Sequence, residues 1–176
     1  MRSKSIRLTS NSYALLALLD QLGEATSYEI KGAIEKSIAN FWPVPHTTAY
    51  EEPARLAAAG YLSARQEAGG RRRKVYALTD EGRAALREWA SEPSAAPPQL
   101  RDEHMLKAFA GAPAGPLLEQ RAAWHREKLA ELEGYLEEVR GVDEWAGSER
   151  ALVAGVAYHR KLLELLDQVG DTGRAS

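Results

Sequence analysis

The chain contains no cysteine, which excludes disulfides, thiolate metal sites and cysteine nucleophiles. It also lacks long hydrophobic runs: the apolar stretch near its start, Tyr13 to Leu19, has seven residues, whereas a membrane-spanning helix needs about 20. This stretch ends at Asp20 without the small-residue cleavage site of a secretory signal. We therefore expect a cytoplasmic protein that does not enter a membrane.

The signatures of catalysis and cofactor binding are missing as well. The sequence has no nucleophile elbow, no phosphate-binding P-loop and no glycine-rich dinucleotide turn. The spacing of its histidines, His46, His104, His125 and His159, does not match that of metal ligands. These absences predict a protein that is not an enzyme and that uses neither a metal nor another cofactor.

The two halves of the chain differ in charge. Residues 1–92 contain 13 Lys and Arg against 11 Asp and Glu, whereas residues 93–176 contain 10 against 14. Between them the segment E-P-S-A-A-P-P-Q holds three prolines, which prevent a continuous helix. The sequence predicts a mildly basic domain at 1–92, a Pro-rich linker at 93–100, an acidic helical domain at 101–170 and a disordered tail at 171–176.

Capping residues and helical periodicity divide the first domain into a recognisable order of elements. Three helices are followed by a β-hairpin and a fourth helix, which is the order of a winged helix-turn-helix domain. The expected fold is therefore mainly α with a small β-hairpin wing. The predicted elements are helices from about Ser10 to Leu22, from Thr26 and from His46 or Thr47 to Gly60, strands 61–66 and 74–78 around a Gly69-Gly70 turn, and a helix capped by Thr79.

The predicted hairpin concentrates positive charge, because its return arm carries four cations in a row. Such runs are usually solvated surface, but a hairpin tip directly after a Gly-terminated helix is where a winged helix contacts DNA phosphates. This position favours phosphate contact over simple solvation. The candidate DNA-binding residues of the hairpin are Arg71, Arg72, Arg73, Lys74 and Tyr76.

The third helix is the candidate recognition helix, because its polar face would read base edges in the major groove. Glu51 or Glu52 either faces inward, pairs with Arg55 or accepts a hydrogen bond from a cytosine amine. Tyr50 either packs beneath the helix or contacts a phosphate, and Pro53 should bend the helix axis. The candidate DNA-binding residues of this helix are His46, Thr47, Thr48, Tyr50, Glu51 and Arg55.

These motifs occur together in a known family. The chain contains L-T-S-N-S-Y-A-L-L-A-L-L, S-Y-E-I-K, F-W-P, Y-x-x-x-x-R-L-x-x-x-G-Y-L, R-R-R-K-V-Y-A-L-T-D-E-G and R-D-E-x-x-L-K-A-F. Over roughly residues 6–110 it thereby resembles the PadR family of bacterial transcriptional regulators. The resemblance implies a homodimer that binds a palindromic double-stranded operator, usually as a repressor, and leaves it on an effector signal. Members often carry proline directly after the helix-three tyrosine, whereas here Glu51 and Glu52 stand between Tyr50 and Pro53.

The second half carries a heptad pattern of apolar residues from Leu118 to Val139, which predicts one helix of an antiparallel arm. The helix predicted at about 148–169 has two adjacent apolar stripes, so we expect it to contact both its hairpin partner and a second subunit. The candidate dimerisation residues are Leu118, His125, Leu129, Leu132, Leu136, Val156, Tyr158, Leu162 and Leu165.

Aromatic residues of the second half either line a pocket for a small aromatic effector or simply form helical core. His125 is either a hydrogen-bonded core residue or a sensor of effector or pH. Two other functions stay open: a winged-helix module for protein association without DNA, and a multidrug or phenolic sensor of another winged-helix family. The candidate effector-binding residues are Phe109, Trp124, Tyr135, Trp145 and Tyr158.

Overall fold

The computed structural model describes residues 6–67, 73–94, 97, 99 and 101–174. The chain divides into two compact units, Met1–Ala95 and Ala96–Ser176, and the division falls inside the Pro-rich segment expected to be a linker. Each unit has its own hydrophobic core. Within the described residues, no helix is both long and apolar enough to cross a membrane.

The first unit has the predicted winged-helix order with one additional strand. Its short first strand was missed because three residues are too few to produce an alternating pattern. A 3-10 turn at Ile38–Asn40 follows the second helix. The elements are α1 (Ser10–Leu22), β1 (Glu24–Thr26), α2 (Ser27–Lys36), α3 (Thr48–Ala58), β2 (Leu62–Gln66), β3 (Lys74–Leu78) and α4 (Asp80–Ser91).

Hydrogen-bonded caps begin the first two helices. The Thr9 side chain accepts a bond from the backbone N–H of Ser12, and the Ser12 hydroxyl accepts one from the backbone N–H of Thr9. At α2 the Glu29 carboxylate accepts a bond of 2.7 Å from the backbone N–H of Thr26. These capping boxes satisfy backbone donors that have no partner within the helix. Gly23, with φ of 74°, then ends α1 in a backbone conformation that favours glycine.

The three strands form an antiparallel sheet in the order β1-β3-β2. Val75 on the central strand lies opposite Thr26 of β1 and Arg65 of β2. Thr26 is therefore the last residue of β1 and also the N-cap of α2. This double role joins the sheet directly to the helix that precedes the recognition helix.

The core of the first unit lies between the helices and one face of the sheet. α1 contributes the largest share of it, since four of its leucines are buried. The Thr79 hydroxyl donates to the carbonyl oxygens of Gly60 and Tyr61, which ties the start of α4 to the end of α3. The buried hydrophobic residues of this core include Leu15, Leu16, Leu18, Leu19, Ile30, Leu56, Leu62, Tyr76 and Leu78.

The second unit consists of α5 (Glu103–Phe109), α6 (Ala114–Val139) and α7 (Ala146–Arg174). Residues 140–145, including a 3-10 turn at Asp143–Trp145, join α6 and α7. The two long helices form the predicted antiparallel hairpin, with Leu132, Leu136, Leu152 and Val156 at its core. Helix α7 extends to Arg174, and the expected disorder of residues 171–176 stays a prediction.

Candidate nucleic-acid interface

The recognition helix α3 presents a clear division between a buried face and an exposed face. Ala49, Pro53 and Leu56 are buried against the core of the first unit. Tyr50 is 50% exposed, so its side chain does not pack beneath the helix. Of the remaining predicted residues on this face, Thr48 is half-buried, and His46, Thr47 and Glu51 are exposed.

Helix α3 continues without interruption across Pro53. Proline has no backbone N–H, so the carbonyl of Ala49 receives no helical hydrogen bond from this position. Both residues face the core, and the exposed face of the helix is continuous beside them. The bend of the helix axis at Pro53 stays a prediction.

Glu52 and Arg55 form an ion pair that joins α3 to α1. Arg55 Nε donates to Glu52 Oε2 over 2.7 Å, and the Ser12 hydroxyl donates to Glu52 Oε1 over 2.6 Å. Arg55 also donates to the backbone carbonyl of Arg7. The Arg55 guanidinium, followed by the Ser12 hydroxyl, holds the pKa of Glu52 below its usual value against the effect of burial. The structure therefore selects the pairing with Arg55 among the alternatives for Glu52.

Arg55 is consequently not a free cation on the recognition helix. Its guanidinium is engaged by Glu52, Ser12 and the backbone of Arg7. A contact between Arg55 and a DNA base would require these hydrogen bonds to be exchanged. Its role in base recognition stays a prediction, and the geometry assigns Arg55 first to holding α3 on α1.

Tyr28 is a candidate contact residue that the sequence analysis missed. It lies on the first turn of α2 and is 72% exposed. Lys31 bonds Glu35 over 2.9 Å, and this bond is the main reason that the pKa of Lys31 is raised. The nearby phenols of Tyr50 and Tyr28 raise that pKa further. Tyr28 and Tyr50 are thus exposed near the partly buried Lys31, and these three residues form what we call the tyrosine surface.

A sequence signal for Tyr28 existed, because it falls off the apolar stripe formed by Ile30, Ala33 and Ile34. An aromatic side chain on the polar face of a short amphipathic helix is exposed by geometry. Tyr28 lies between Thr26 and Glu29 of the capping box, which accounts for this part of the sequence without giving Tyr28 a role. Only the packing of α2 against α3 brings Tyr50 near Lys31, which lies one turn along α2 from Tyr28.

Of the wing, the structure describes the first arm up to Glu67 and the second arm from Arg73 onward. The backbone N–H of Glu67 donates to the carbonyl of Arg73 over 2.9 Å, which extends the β2–β3 ladder beyond the pair of Gln66 and Lys74. Arg73 and Lys74 are exposed at this end of the hairpin. The predicted Gly69-Gly70 turn and the phosphate contacts predicted for Arg71 and Arg72 lie outside the described residues.

Two further residues of the hairpin, Arg65 and Tyr76, contact other parts of the first unit. Arg65, on β2, forms an ion pair with Glu24 of β1 across the sheet. Tyr76 lies on the central strand and is 4% exposed within the core. Its predicted DNA contact is therefore corrected: a side chain buried between the sheet and the helices does not reach a DNA backbone. The exposed positions Arg73 and Lys74 remain candidates.

The predicted dimerisation residues of the arm separate into two groups. Those of the heptad seam face the other helix of the same hairpin, where His125, Leu132, Leu136 and Val156 are buried and Leu118 and Leu129 are half-buried. The second stripe of α7 faces outward, with Leu162 half-buried and Tyr158 and Leu165 exposed. A second subunit would find its apolar surface on this outer stripe.

The predicted effector residues do not all lie together. Trp124 and Tyr135 are eleven positions apart on α6, about 16 Å along its axis. The Trp124 and Tyr158 rings both contact the ring of His159, at centroid distances of 5.6 Å and 5.3 Å. Phe109 lies on α5 and is 91% exposed, and Trp145 lies in the turn between the long helices. The structure therefore brings Trp124 and Tyr158 together around one histidine.

Comparison with known proteins places these features in a regulator family. Residues 15–88, from α1 through most of α4, match the model of the family described as "Transcriptional regulator PadR-like family". The chain is 30% identical over 134 residues to the negative transcriptional regulator PadR of Bacillus subtilis. This similarity covers 72% of the chain and 73% of that relative.

Solved structures of the same Bacillus subtilis protein are also similar to this chain. One, a complex with operator DNA, has a TM-score of 0.78 at 25% identity and covers 93% of this chain and 98% of that one. Another, a complex with p-coumaric acid, has a TM-score of 0.72 at 23% identity and covers 93% and 96%. The similarity therefore extends over both units of the fold.

Proposed function

Because the chain belongs to the PadR-like family of transcriptional regulators, we propose that it binds an operator as a homodimer and represses transcription until a small-molecule effector releases it. The observation that carries this proposal is the exposure of Tyr28 and Tyr50 near Lys31, on α2 and α3. These residues lie in the segment that matches the family model. The similar Bacillus subtilis protein was crystallised with operator DNA.

The two parts of the interface have different tasks in this proposal. The first turns of α3, with Thr47 and Tyr50, enter the major groove and read base edges. Lys31 on α2, together with Arg73 and Lys74 on the wing, contacts phosphates and supplies affinity that does not depend on sequence. Specificity then resides mainly in α3, whereas the dependence on salt resides mainly in the wing.

The homodimer is supported by the outer stripe of α7. Tyr158 and Leu165 leave apolar surface exposed along this stripe. A two-fold pair that buries this stripe presents two recognition helices, which favours a palindromic operator with half-sites about one helical turn apart. The arm would thereby set the distance between the two DNA-binding units.

The effector is proposed to be a small aromatic acid, acting on a cytoplasmic protein associated with the nucleoid. The similar Bacillus subtilis regulator was crystallised with p-coumaric acid, which belongs to this chemical class. In this chain Trp124 and Tyr158 offer aromatic surface on the arm, and both are about half exposed. We expect no enzymatic activity, since binding alone accounts for this role.

The proposal is tested by selecting fragments of the host genome with the purified protein at near-physiological salt. We expect enrichment of one palindromic sequence and release of that sequence by p-coumaric acid or a related aromatic acid. Absence of any enriched sequence over random DNA would refute operator binding and leave a protein-association module as the alternative. Enrichment without release by any aromatic acid would refute only the effector class.

The contribution of α3 is tested with substitutions at Tyr50. Tyr50→Ala should weaken operator binding about ten- to a hundredfold, because an exposed contact at the centre of the interface is lost. If the hydroxyl bonds a phosphate, Tyr50→Phe should lose a similar amount. Arg87→Ala, an exposed cation on α4, serves as the control and should bind as the unmodified protein does. Unchanged binding of Tyr50→Ala in a fluorescence-anisotropy titration would contradict the assignment.

A further inference from the structure

Two buried imidazoles meet at the centre of the arm. His125 of α6 is 1% exposed and His159 of α7 is 5% exposed. Their Nδ1 atoms are 2.8 Å apart, which is a hydrogen-bond distance. The contact therefore joins the two long helices through polar atoms in an otherwise apolar interface.

The charged groups around this pair come from α6 and from the start of α5. Arg121 and Lys128 of α6 disfavour a positive charge on the imidazoles. Asp102, the N-cap of α5, favours such a charge, but its carboxylate already forms an ion pair with Arg121. His104 of α5 is a further nearby titratable group and opposes a positive charge on His125. Among the described residues that act on the pair, Asp102 is the carboxylate that could compensate a proton, and it is already bound to Arg121.

The number of hydrogens on the ring nitrogens of the two histidines explains why an added proton disturbs this contact. The neutral pair carries two hydrogens on four ring nitrogens, and one of them lies between the two Nδ1 atoms. If that bond is kept, a third hydrogen requires both Nε2 atoms to carry one. His125 Nε2 is buried and has no hydrogen-bond partner within the described part of the chain. An N–H at this position would be buried without an acceptor, which is costly.

The second protonation has a more direct consequence. Two imidazolium rings each carry a hydrogen on Nδ1, so both Nδ1 atoms become donors and the bond between them is lost. Burial, followed by the charges of Arg121 and His159, lowers the pKa of His125 to about 4. Burial, followed by Lys128 and Arg121, also lowers the pKa of His159. Both shifts agree with the hydrogen count, since the closed arm favours the neutral rings.

We propose that the contact between His125 and His159 is a proton-sensitive latch. It holds α6 and α7 together while both rings are neutral, and it releases the part of the two helices around these residues when the rings are protonated. Release exposes His125 Nε2 to water, which provides the missing acceptor. The apolar core formed by Leu132, Leu136, Leu152 and Val156 lies nearer the turn. Tyr135 packs against it, and burial raises the pKa of this phenol above its usual value near 10, so it stays neutral between pH 5 and pH 7.5. The hairpin should therefore open from the latch while its turn end stays packed. This proposal concerns the arm alone and does not depend on operator binding.

The absence of cysteine in the natural chain allows a direct measurement. Glu127→Cys on α6 and Ala157→Cys on α7, two exposed positions near the latch, provide the sites for a pair of spin labels. The distance between the labels is measured in the full chain at pH 7.5 and pH 5. Between these values the open form gains up to about 30-fold in population relative to the closed form for each histidine, because an exposed imidazole titrates near 6.5. We expect a longer or broader distance distribution at pH 5.

The matched control is the same labelled chain carrying His125→Gln and His159→Gln. Amide side chains bond each other without titrating, so the distance distribution should then not change with pH. The single variant His159→Gln serves if the double variant does not fold, and it should respond less than the unmodified latch. His46→Gln, an exposed histidine of the first unit, should leave the response unchanged.

Nuclear magnetic resonance of the four histidine rings reports protonation in the same pH range. The latch is supported if protonation of His125 and His159 coincides with the change in distance. It is refuted if both rings are protonated while the distance stays constant. It is equally refuted if the glutamine variant opens as the unmodified arm does, or if the rings stay neutral until the whole chain unfolds.

Discussion

Glu52 shows why a charged residue on a recognition helix does not by itself indicate DNA contact. An acidic group near phosphate is unfavourable, yet Glu52 is retained on α3, where it binds Arg55 and the Ser12 hydroxyl. Its side chain is 13% exposed, so its charge is largely compensated inside the chain. The residue therefore positions α3 on α1, and the DNA-facing surface is left to its neighbours.

Glu52→Gln should lower the free energy of unfolding by about 1–3 kcal/mol, because a charge-assisted hydrogen bond to Arg55 is lost in a partly buried site. Glu51→Gln, one residue earlier and exposed, should change it by less than about 0.5 kcal/mol. Urea denaturation followed by circular dichroism measures both values. A larger effect at Glu51 than at Glu52 would contradict the assigned roles.

The same pair predicts a dependence on pH. The pKa of Glu52 is lower in the folded chain than in the unfolded chain. Its contribution is therefore fully present above the unfolded pKa, near 4.5, and is lost as the pH falls through the folded pKa. The stability difference between the natural chain and Glu52→Gln should shrink between pH 5 and pH 2. A difference that stays constant over this range would exclude the carboxylate as its origin.

At the scale of an element, capping residues were the most informative part of the sequence. The boundaries of α1 and the caps of α2 and α4 follow from Thr9, Thr26 and Thr79, whose side-chain bonds are local. Strand β1 was not predicted, because its three residues become a strand only through pairing with β3. The tyrosine surface was missed for the same reason, since it requires α2 to pack against α3.

Helix α4 is held at its start by a close approach of backbone that only glycine permits. A Cβ atom added at Gly82 would lie 2.2 Å from the carbonyl oxygen of Tyr61. That carbonyl accepts bonds from both the hydroxyl and the backbone N–H of Thr79. The contact couples the first turn of α4 to the segment between α3 and β2.

Gly82→Ala should therefore destabilise the chain by at least about 2 kcal/mol, because overpacking against backbone cannot be relieved by a side-chain rotation. Gly32→Ala, in α2, is the matched control, since a Cβ there meets nothing within 4 Å. It should stabilise the helix by about 0.5–1 kcal/mol. Thermal unfolding of the two variants measures these changes, and equal effects would show that the close approach at Gly82 is relieved elsewhere.

At the scale of the whole molecule, charge alone would not have suggested a DNA-binding protein, because the net charge is −2. Positive charge is in local excess in the hairpin, where Arg65 and Arg71 to Lys74 stand against Glu67, whereas residues 93–176 hold 14 Asp and Glu against 10 Lys and Arg. Affinity for DNA should therefore depend on a small number of phosphate contacts in each subunit. The salt dependence of binding reports that number directly.

If each subunit of a dimer neutralises about four phosphates, the logarithm of operator affinity should fall with the logarithm of salt concentration at a slope near −7. Lys74→Ala removes one contact per subunit and should make the slope shallower by about 2, whereas Arg87→Ala should leave it unchanged. Fluorescence anisotropy at several salt concentrations gives these slopes. A slope shallower than about −3 for the natural chain would contradict docking through the wing.

Thr26 gives the wing a mechanical connection to the rest of the first unit. The residue pairs with Val75 of the central wing strand, and it caps the helix that carries Tyr28 and Lys31. Between strand and helix there is no intervening loop that could absorb a displacement. We therefore expect a displacement of the wing on DNA binding to be transmitted to the start of α2, so that the wing and the tyrosine surface move together.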